Sequence, residues 1–438
     1  MLNKKLNKKN LQIEDQLYLL TYFDQQSEMP NEKYYYKELM NKIDNSVEKE
    51  RFAVVYLKVN NLENMHNLLG FEKSNEFIRS LAEHLQDINK KAELISLYRG
   101  NQFLLLYDLD NYDIVLKKEL ESLLKKINKF IKAKNYDYLL KINLGIAIYP
   151  DHGKTATELM TKVHNAMYSI ENNTGSYQIY DENVFLEKIK KESLKQDLKE
   201  AIENQDFYIK YQPKVQTNNE EITALEALIR WKHYKKGDIS PGIFIPLAEK
   251  TGLIKNVGTY VLKEVFETLK SWQKSGLSDI KMCINISLIE LNDPEILNNI
   301  KFIADSYFID NSLIEFEITE RSFIEISEDT LNKLKEMGFS IALDDFGTGY
   351  SSLSVLNELS IDLLKLDKSF IDKIDKEKTR MLVEGVINIS HRLGLKVVAE
   401  GVEKKEQLDI LKELSCDYIQ GYYFYRPMSK NKIENLLN

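Results

Sequence analysis

Residues Ala342 to Leu353 read ALDDFGTGYSSL. The apolar, β-branched lead-in FSIAL ends in two adjacent aspartates and a loop rich in glycine and hydroxyl residues, so Asp344 and Asp345 are expected where a buried strand gives way to a loop. In α/β proteins chemistry sits at that place. Asp and Gly are also ordinary turn residues, and alone the pair reads equally well as a solvated turn. Its company decides: the C-terminal halves of the other strand-like segments carry Glu226, Asn285, Glu317, Lys365, Glu400 and Gln420. Singly, each is a ladder-edge acid, a capping Asn or a snorkelling Lys. Jointly, so many acids at one barrel mouth would repel one another unless cations neutralised them.

Carboxylates and an Asn carbonyl are hard oxygen donors that suit Mg²⁺ or Mn²⁺. Two adjacent aspartates can reach two neighbouring cations, an arrangement suited to hydrolysing a phosphodiester. Lys365 would orient the attacking water or offset charge at phosphorus, and Arg230, four residues after Glu226, would clamp a phosphate. The glycine loop after Asp345 would be a mobile lid. The six histidines form no HExxH, His-Asp pair or cluster, which argues against zinc proteases and histidine-rich phosphodiesterases.

The elements that must hold these residues fall into two groups. RFAVVYLKV, LISLYRGNQFLLLY and LKINLGIAIYP read as strands, separated by helical periodicity such as NEFIRSLAEHLQDI, and predict an α+β domain over residues 23–182 after a lead of 1–22. Phe185 to Gln205 is charged and lacks glycine and proline, which predicts a helical connection over 183–205. Beyond it, FYIKYQPKV, ITALEALIRW, KMCINIS, LIEFEIT, FSIALDD, IDLLKLD, LKVVAEG and DYIQGYY alternate for the most part with helical sequence. Eight strands in this length match an α/β, TIM-like (β/α)8 barrel over 193–438.

The chain has 438 residues, with 68 acidic against 60 basic side chains, a balance of -8 that disfavours coating a long nucleic acid. The two cysteines, Cys283 and Cys416, have no paired spacing, as expected of a protein in a reducing cytoplasm. The basic N-terminus lacks a following apolar region, and no apolar run approaches membrane-spanning length.

The motifs EALIRW, SPGIFIPLAEKTGLI, NIS, EITE, ALDDFGTGYSSL, LLKLDKSFI, VVAEGVE and YIQGYYFYRPM together resemble the EAL family of bacterial cyclic di-GMP phosphodiesterases from about Ser193 to Asn438. The resemblance implies hydrolysis of cyclic di-GMP to linear pGpG with two ions of Mg²⁺ or Mn²⁺. It makes Glu226, Asn285, Glu317, Asp344 and Asp345 the metal ligands, and Glu400 part of the metal and water environment. Lys365 would stand beside the attacking water, with Arg230 and Gln420 on the substrate. Glu320 would anchor the glycine loop, and Glu403 would support the site from behind it.

The first domain resembles the GGDEF family of diguanylate cyclases in degenerate form: MPN, LLG and GIAIYPDHG survive, while the signature has become RGNQF. Asn101 and Gln102 stand in for its acids, Lys58 for a metal-binding aspartate, and His66 with Asn67 for a nucleotide-contacting Asn-Asp pair. A neutral amide cannot supply the charge a magnesium triphosphate site needs. The reading is a cyclic di-GMP phosphodiesterase in second-messenger signalling, a cytoplasmic homodimer whose first domain regulates or dimerises and would take GTP or a protein as effector. The competing readings are a cyclic di-GMP receptor without turnover and an interaction scaffold.

Overall fold

The computed structural model describes residues 14–25, 27–47, 50–109, 113–170, 175–277, 280–347 and 361–437. Its chain divides into two compact units, Met1–Glu192 and Ser193–Asn438.

In the first unit β1 (Phe52–Asn60), β2 (Leu94–Arg99), β3 (Gln102–Asp108), β4 (Lys141–Tyr149) and β5 (Tyr177–Ile179) form one sheet in the order β2-β3-β1-β4-β5. The central strand β1 is antiparallel to β3 and β4. Its side chains alternate between two cores, as a two-residue period requires. Ala53, Val55 and Leu57 pack with Phe77, Leu81, Leu120 and Ile127 on one face. Phe52, Val54 and Tyr56 pack with Tyr35, Leu39, Leu159 and Val163 on the other. Helices therefore cover both faces, which is why β1 is apolar without interruption from Phe52 to Leu57.

The charged segment after β5 is one helix, Glu182–Asn204, each end one residue before that expected from 183–205. Asp181 sets its start, since Asp181 Oδ1 accepts the backbone N–H groups of Asn183 and Val184.

The second unit is a closed barrel. Its strands are β6 (Phe207–Gln216), β7 (Ile222–His233), β8 (Gly237–Ile239), β9 (Lys281–Asn285), β10 (Ile314–Thr319), β11 (Ser340–Phe346), β12 (Leu363–Leu366), β13 (Lys396–Glu400) and β14 (Tyr418–Gln420). They follow the order β6-β14-β13-β12-β11-β10-β9-β7-β8, and pairing of β6 with β7 closes the ring. The barrel departs from a uniform (β/α)8 at β6, which is antiparallel to both β7 and β14. Only Thr217 to Glu221 separate β6 from β7, too short a stretch for the crossover that parallel neighbours need. Short β8 adds to the free side of β7. The core runs between strands and surrounding helices, with Phe316, Ile341, Leu364 and Val397 meeting Phe266, Leu334, Val383 and Leu411.

Candidate active site

The parallel strands all deliver their C-terminal ends to one mouth. Asn285, Glu400 and Gln420 are the last residues of β9, β13 and β14, Lys365 is next to last in β12, and Glu317 and Asp344 lie two before the ends of β10 and β11. Glu226 lies on the part of β7 that pairs with β9, Ala224 to Ala227, beyond which β7 continues as a hairpin arm. Both aspartates lie inside β11 rather than after it. The strand's register shifts between Leu343 and Phe346, and Asp345 has φ 55°, left-handed backbone that a non-glycine residue adopts only when its surroundings hold it there. This bulge turns two consecutive side chains toward the mouth region, which regular alternation would have sent to opposite faces.

Lys365 is the hub. Its Nζ lies 2.7 Å from Glu317 Oε2, 2.7 Å from Glu400 Oε1, 3.1 Å from Asp344 Oδ1 and 3.9 Å from Glu226 Oε2, with the side chain 1% exposed. Glu226 is held on its other sides by amides: Asn285 Nδ2 donates to Oε1 at 2.7 Å and Gln420 Nε2 to Oε2 at 2.5 Å. A cavity of about 350 Å³ opens here, lined among others by Gln212, Glu226, Asp344, Lys365, Glu400 and Gln420.

An ammonium has three protons to give, and four carboxylates surround this one. The surplus of negative charge shows in the carboxyl groups. Burial, then the charge of Glu317, raises the pKa of Glu226. Burial and the charge of Asp344 raise that of Asp345. Burial pushes Glu400 up to about 8 in spite of Lys365. Glu317 goes the other way: burial opposes its charge, but Lys214 and Lys365 overcome this and hold it at about 2. Ligand oxygens of Asp344, Asp345 and Glu400 lie within 4.8 Å of one another. Clustered hard oxygens with their ionisation suppressed fit a divalent cation, whose charge would relieve the suppression.

The remaining expected residues lie around this mouth. Glu320, at the start of the helix after β10, accepts the Gly347 N–H at Oε2, 2.8 Å away. Gly347 has φ 95°, and a Cβ there would lie 2.2 Å from Phe370, so the turn out of β11 requires glycine. The rest of the expected lid, 348–360, lies outside the described residues. Glu403 lines the cavity and pairs with Lys368 at 2.6 Å. Arg230 is not joined to the Lys365 cluster: its Nη1 donates to the Ile229 carbonyl, and it lines a neighbouring, more apolar cavity of about 280 Å³ with Asn285 and Glu317.

Two inward-facing residues escaped the sequence reading. Lys214, on β6, donates to Glu317 Oε1 at 2.7 Å and to Glu315 Oε1 at 3.0 Å. Gln212, two residues earlier, accepts from Gln420 at 3.4 Å. Spacing by two along YQPKV was the available signal, but a strand lysine ordinarily reads as solvent-facing.

In the first unit the corresponding strand ends carry amides and a lysine. Lys58 stands opposite Gln102 on β3 and Asn143 on β4. Asn101 is taken up by backbone: its carbonyl accepts from Val59 N–H at 3.0 Å, and its Nδ2 donates to Val59 O at 2.7 Å.

Residues 195–427 match the EAL domain model, and residues 21–176 match that of the diguanylate cyclase GGDEF domain. Signaling protein YkoW of Bacillus subtilis is 30% identical over 98% of this chain and 54% of its own length. The bifunctional diguanylate cyclase/cyclic di-GMP phosphodiesterase MucR of Pseudomonas aeruginosa is 29% identical over 95% of this chain and 62% of its own. The chain thus spans little more than half the length of these relatives. A solved structure of the PaMucR phosphodiesterase in complex with c-di-GMP is 35% identical, with a TM-score of 0.53 over 55% of this chain and 99% of that one. Among the described residues no helix is long and apolar enough to cross a membrane. By sequence match and by the fold of its barrel, the chain belongs to the EAL family, with a GGDEF domain preceding the EAL domain.

Proposed function

We propose that the barrel hydrolyses cyclic di-GMP to linear pGpG with divalent cations, and that the GGDEF domain makes no cyclic di-GMP. The observation that carries this is the ring of Glu226, Glu317, Asp344 and Glu400 about Lys365, with Asp345 beside it, at the C-terminal mouth of an EAL barrel. Two ions of the Mg²⁺ or Mn²⁺ kind, held by Glu226, Asn285, Glu317, Asp344 and Asp345, would supply Lewis acidity and a more acidic water. In the reaction, water adds to one phosphodiester, the P–O3′ bond breaks and the departing 3′ oxygen takes up a proton.

The chain's own residues have defined parts. Lys365 Nζ, already among carboxylates, offsets negative charge gathering at phosphorus. Glu400 Oε1, facing that ammonium at 2.7 Å, belongs to the surroundings of the metal and the attacking water. Arg230 takes a phosphate, Gln420 contacts the substrate as well as Glu226, and Glu320 with Glu403 keeps the surrounding loops in place.

The reading includes a cytoplasmic location, in keeping with two free cysteines, and a homodimer whose first domain answers GTP or a protein. Incubating the full chain with cyclic di-GMP and Mg²⁺ or Mn²⁺, followed by chromatography, should give pGpG, and excess EDTA should stop it. Binding without turnover would make the barrel a receptor.

A further inference from the structure

The interior of a (β/α)8 barrel is ordinarily filled by layers of branched apolar side chains. This barrel instead buries a second lysine. The Lys214 side chain is 2% exposed and its carboxylate partners, Glu315 and Glu317, are 4% and 0% exposed. Glu317 is therefore gripped from two sides: Oε1 accepts from Lys214 at 2.7 Å and Oε2 from Lys365 at 2.7 Å. The two lysines differ in their other commitments. Lys365 is shared among Glu226, Asp344 and Glu400, all at the mouth, whereas the second partner of Lys214 is Glu315.

We propose that Lys214 is a positioning residue of the active site, fixing Oε1 of Glu317 so that Oε2 is presented to the mouth as a cation ligand; this rests on the metal-dependent reading above. The bland alternative makes Lys214 only the counter-ion of buried Glu315. The contacts favour Glu317. Lys214 lies closer to Glu317 than to Glu315, at 2.7 Å against 3.0 Å. Glu315 has further partners, the Cys283 thiol at 3.3 Å from Oε1 and Lys281 at 4.0 Å from Oε2. When a cation takes Oε2, the contact with Lys365 must yield, and the Lys214 contact is the one left to hold the carboxylate in orientation. Cys283, Glu315 and Glu317 also bring ligand atoms within 4.8 Å of one another, and the Lys214 ammonium, bonded to both acids, supplies positive charge at that level. Added metal is thereby directed to the mouth.

The test is Mn²⁺ binding to the full chain without substrate, read from the electron paramagnetic resonance of free Mn²⁺, with thermal unfolding as control. Wild type, Lys214→Met and Lys214→Met/Glu315→Gln are compared. A partner that orients a metal ligand is worth about 10- to 100-fold in affinity, and a weakening of that size is expected in both variants. The double variant removes the charge of Glu315 together with that of Lys214, so it keeps the test open if Lys214→Met does not fold. A folded double variant that still binds Mn²⁺ weakly supports positioning. Recovery of wild-type affinity in the double variant would show that Lys214 serves Glu315 alone and overturn the inference. Failure of the wild type to bind Mn²⁺ is a different result, removing the metal reading itself.

Discussion

The chain presents strand-end polar residues in two places, and their surroundings differ. At the barrel mouth, acids crowd a single shared lysine, and the pKa values of Glu226, Asp345 and Glu400 are raised. At the turn between β2 and β3, Asn101 gives both its side chain and its carbonyl to Val59, and neighbouring Lys58 and Gln102 pair in register across β1 and β3. The first arrangement packs more carboxyl groups into one mouth than it has ammonium groups to pair with them. The second leaves its amide bonded within the fold. Strand pairing and core packing do not depend on which polar groups the strand ends carry, so one kind of sheet can hold either arrangement.

The sharpest way to break this comparison is to remove charge from the mouth. Asp344→Ala or Glu226→Ala should reduce conversion of cyclic di-GMP to pGpG by about three orders of magnitude, in line with several kcal/mol of transition-state stabilisation. Turnover near the wild-type rate in either variant, in assays titrated with Mg²⁺, would disprove the proposed roles. Glu320→Ala comes next. It deletes the acceptor of the Gly347 N–H at the exit of β11, and a displacement of Asp345 by about 1 Å would cost roughly 100-fold in turnover. Circular dichroism should show a folded barrel; unchanged kinetics would remove Glu320 from the loop-holding role.

How far the sequence disclosed this contrast follows from the scale of each signal. Apolar runs and their spacing disclosed the two units, and Gly- and Pro-free sequence disclosed the helix Glu182–Asn204, because these signals are local. Acids on successive strands suggested the mouth once a barrel was assumed. Three features needed the closed ring. Reversal of β6 was implied by the short link to β7, but periodicity says nothing of strand direction. Lys214 is buried because β6 is enclosed on both sides from Tyr211 to Val215, although its first four residues alternate. The bulge at Asp345 depends on a backbone angle that Asp-Asp does not announce.

A smaller effect separates the two regions through pH. In the first unit, burial raises the buried tyrosines, with Tyr56 at about 12, above the working range. In the barrel, burial pushes Glu290 up to about 7, against the hydrogen bonds from Ser287 that favour its charge. The folded state keeps this proton between the unfolded value of about 4.5 and a pH of about 7, while the unfolded chain has lost it. Stability should therefore fall as pH rises through that window, by up to about 3 kcal/mol at its upper end. Glu290→Gln should flatten this part of the pH dependence of thermal unfolding, and an unchanged slope would mean that Glu290 ionises at its ordinary value.

The smallest expected effect is the mirror image of the first. Asn101→Ala also truncates a polar residue at a strand end, but the reading above gives it no cation or substrate to lose. What it loses is the bond from Asn101 Nδ2 to Val59 O, worth about 1 kcal/mol in a partly buried setting. That corresponds to a shift of roughly 2–4 °C in the transition of a unit this size. Exchange at the Val59 amide, which donates to the Asn101 carbonyl, should quicken as the turn loosens. Conversion of cyclic di-GMP should stay within about twofold of wild type, and neither protein should form cyclic di-GMP or pGpG from GTP and Mg²⁺. A larger change in turnover would mean that the turn communicates with the barrel. Product from GTP in the wild type would reverse the comparison, since Lys58, Asn101 and Gln102 would then have to support the chemistry their charges oppose.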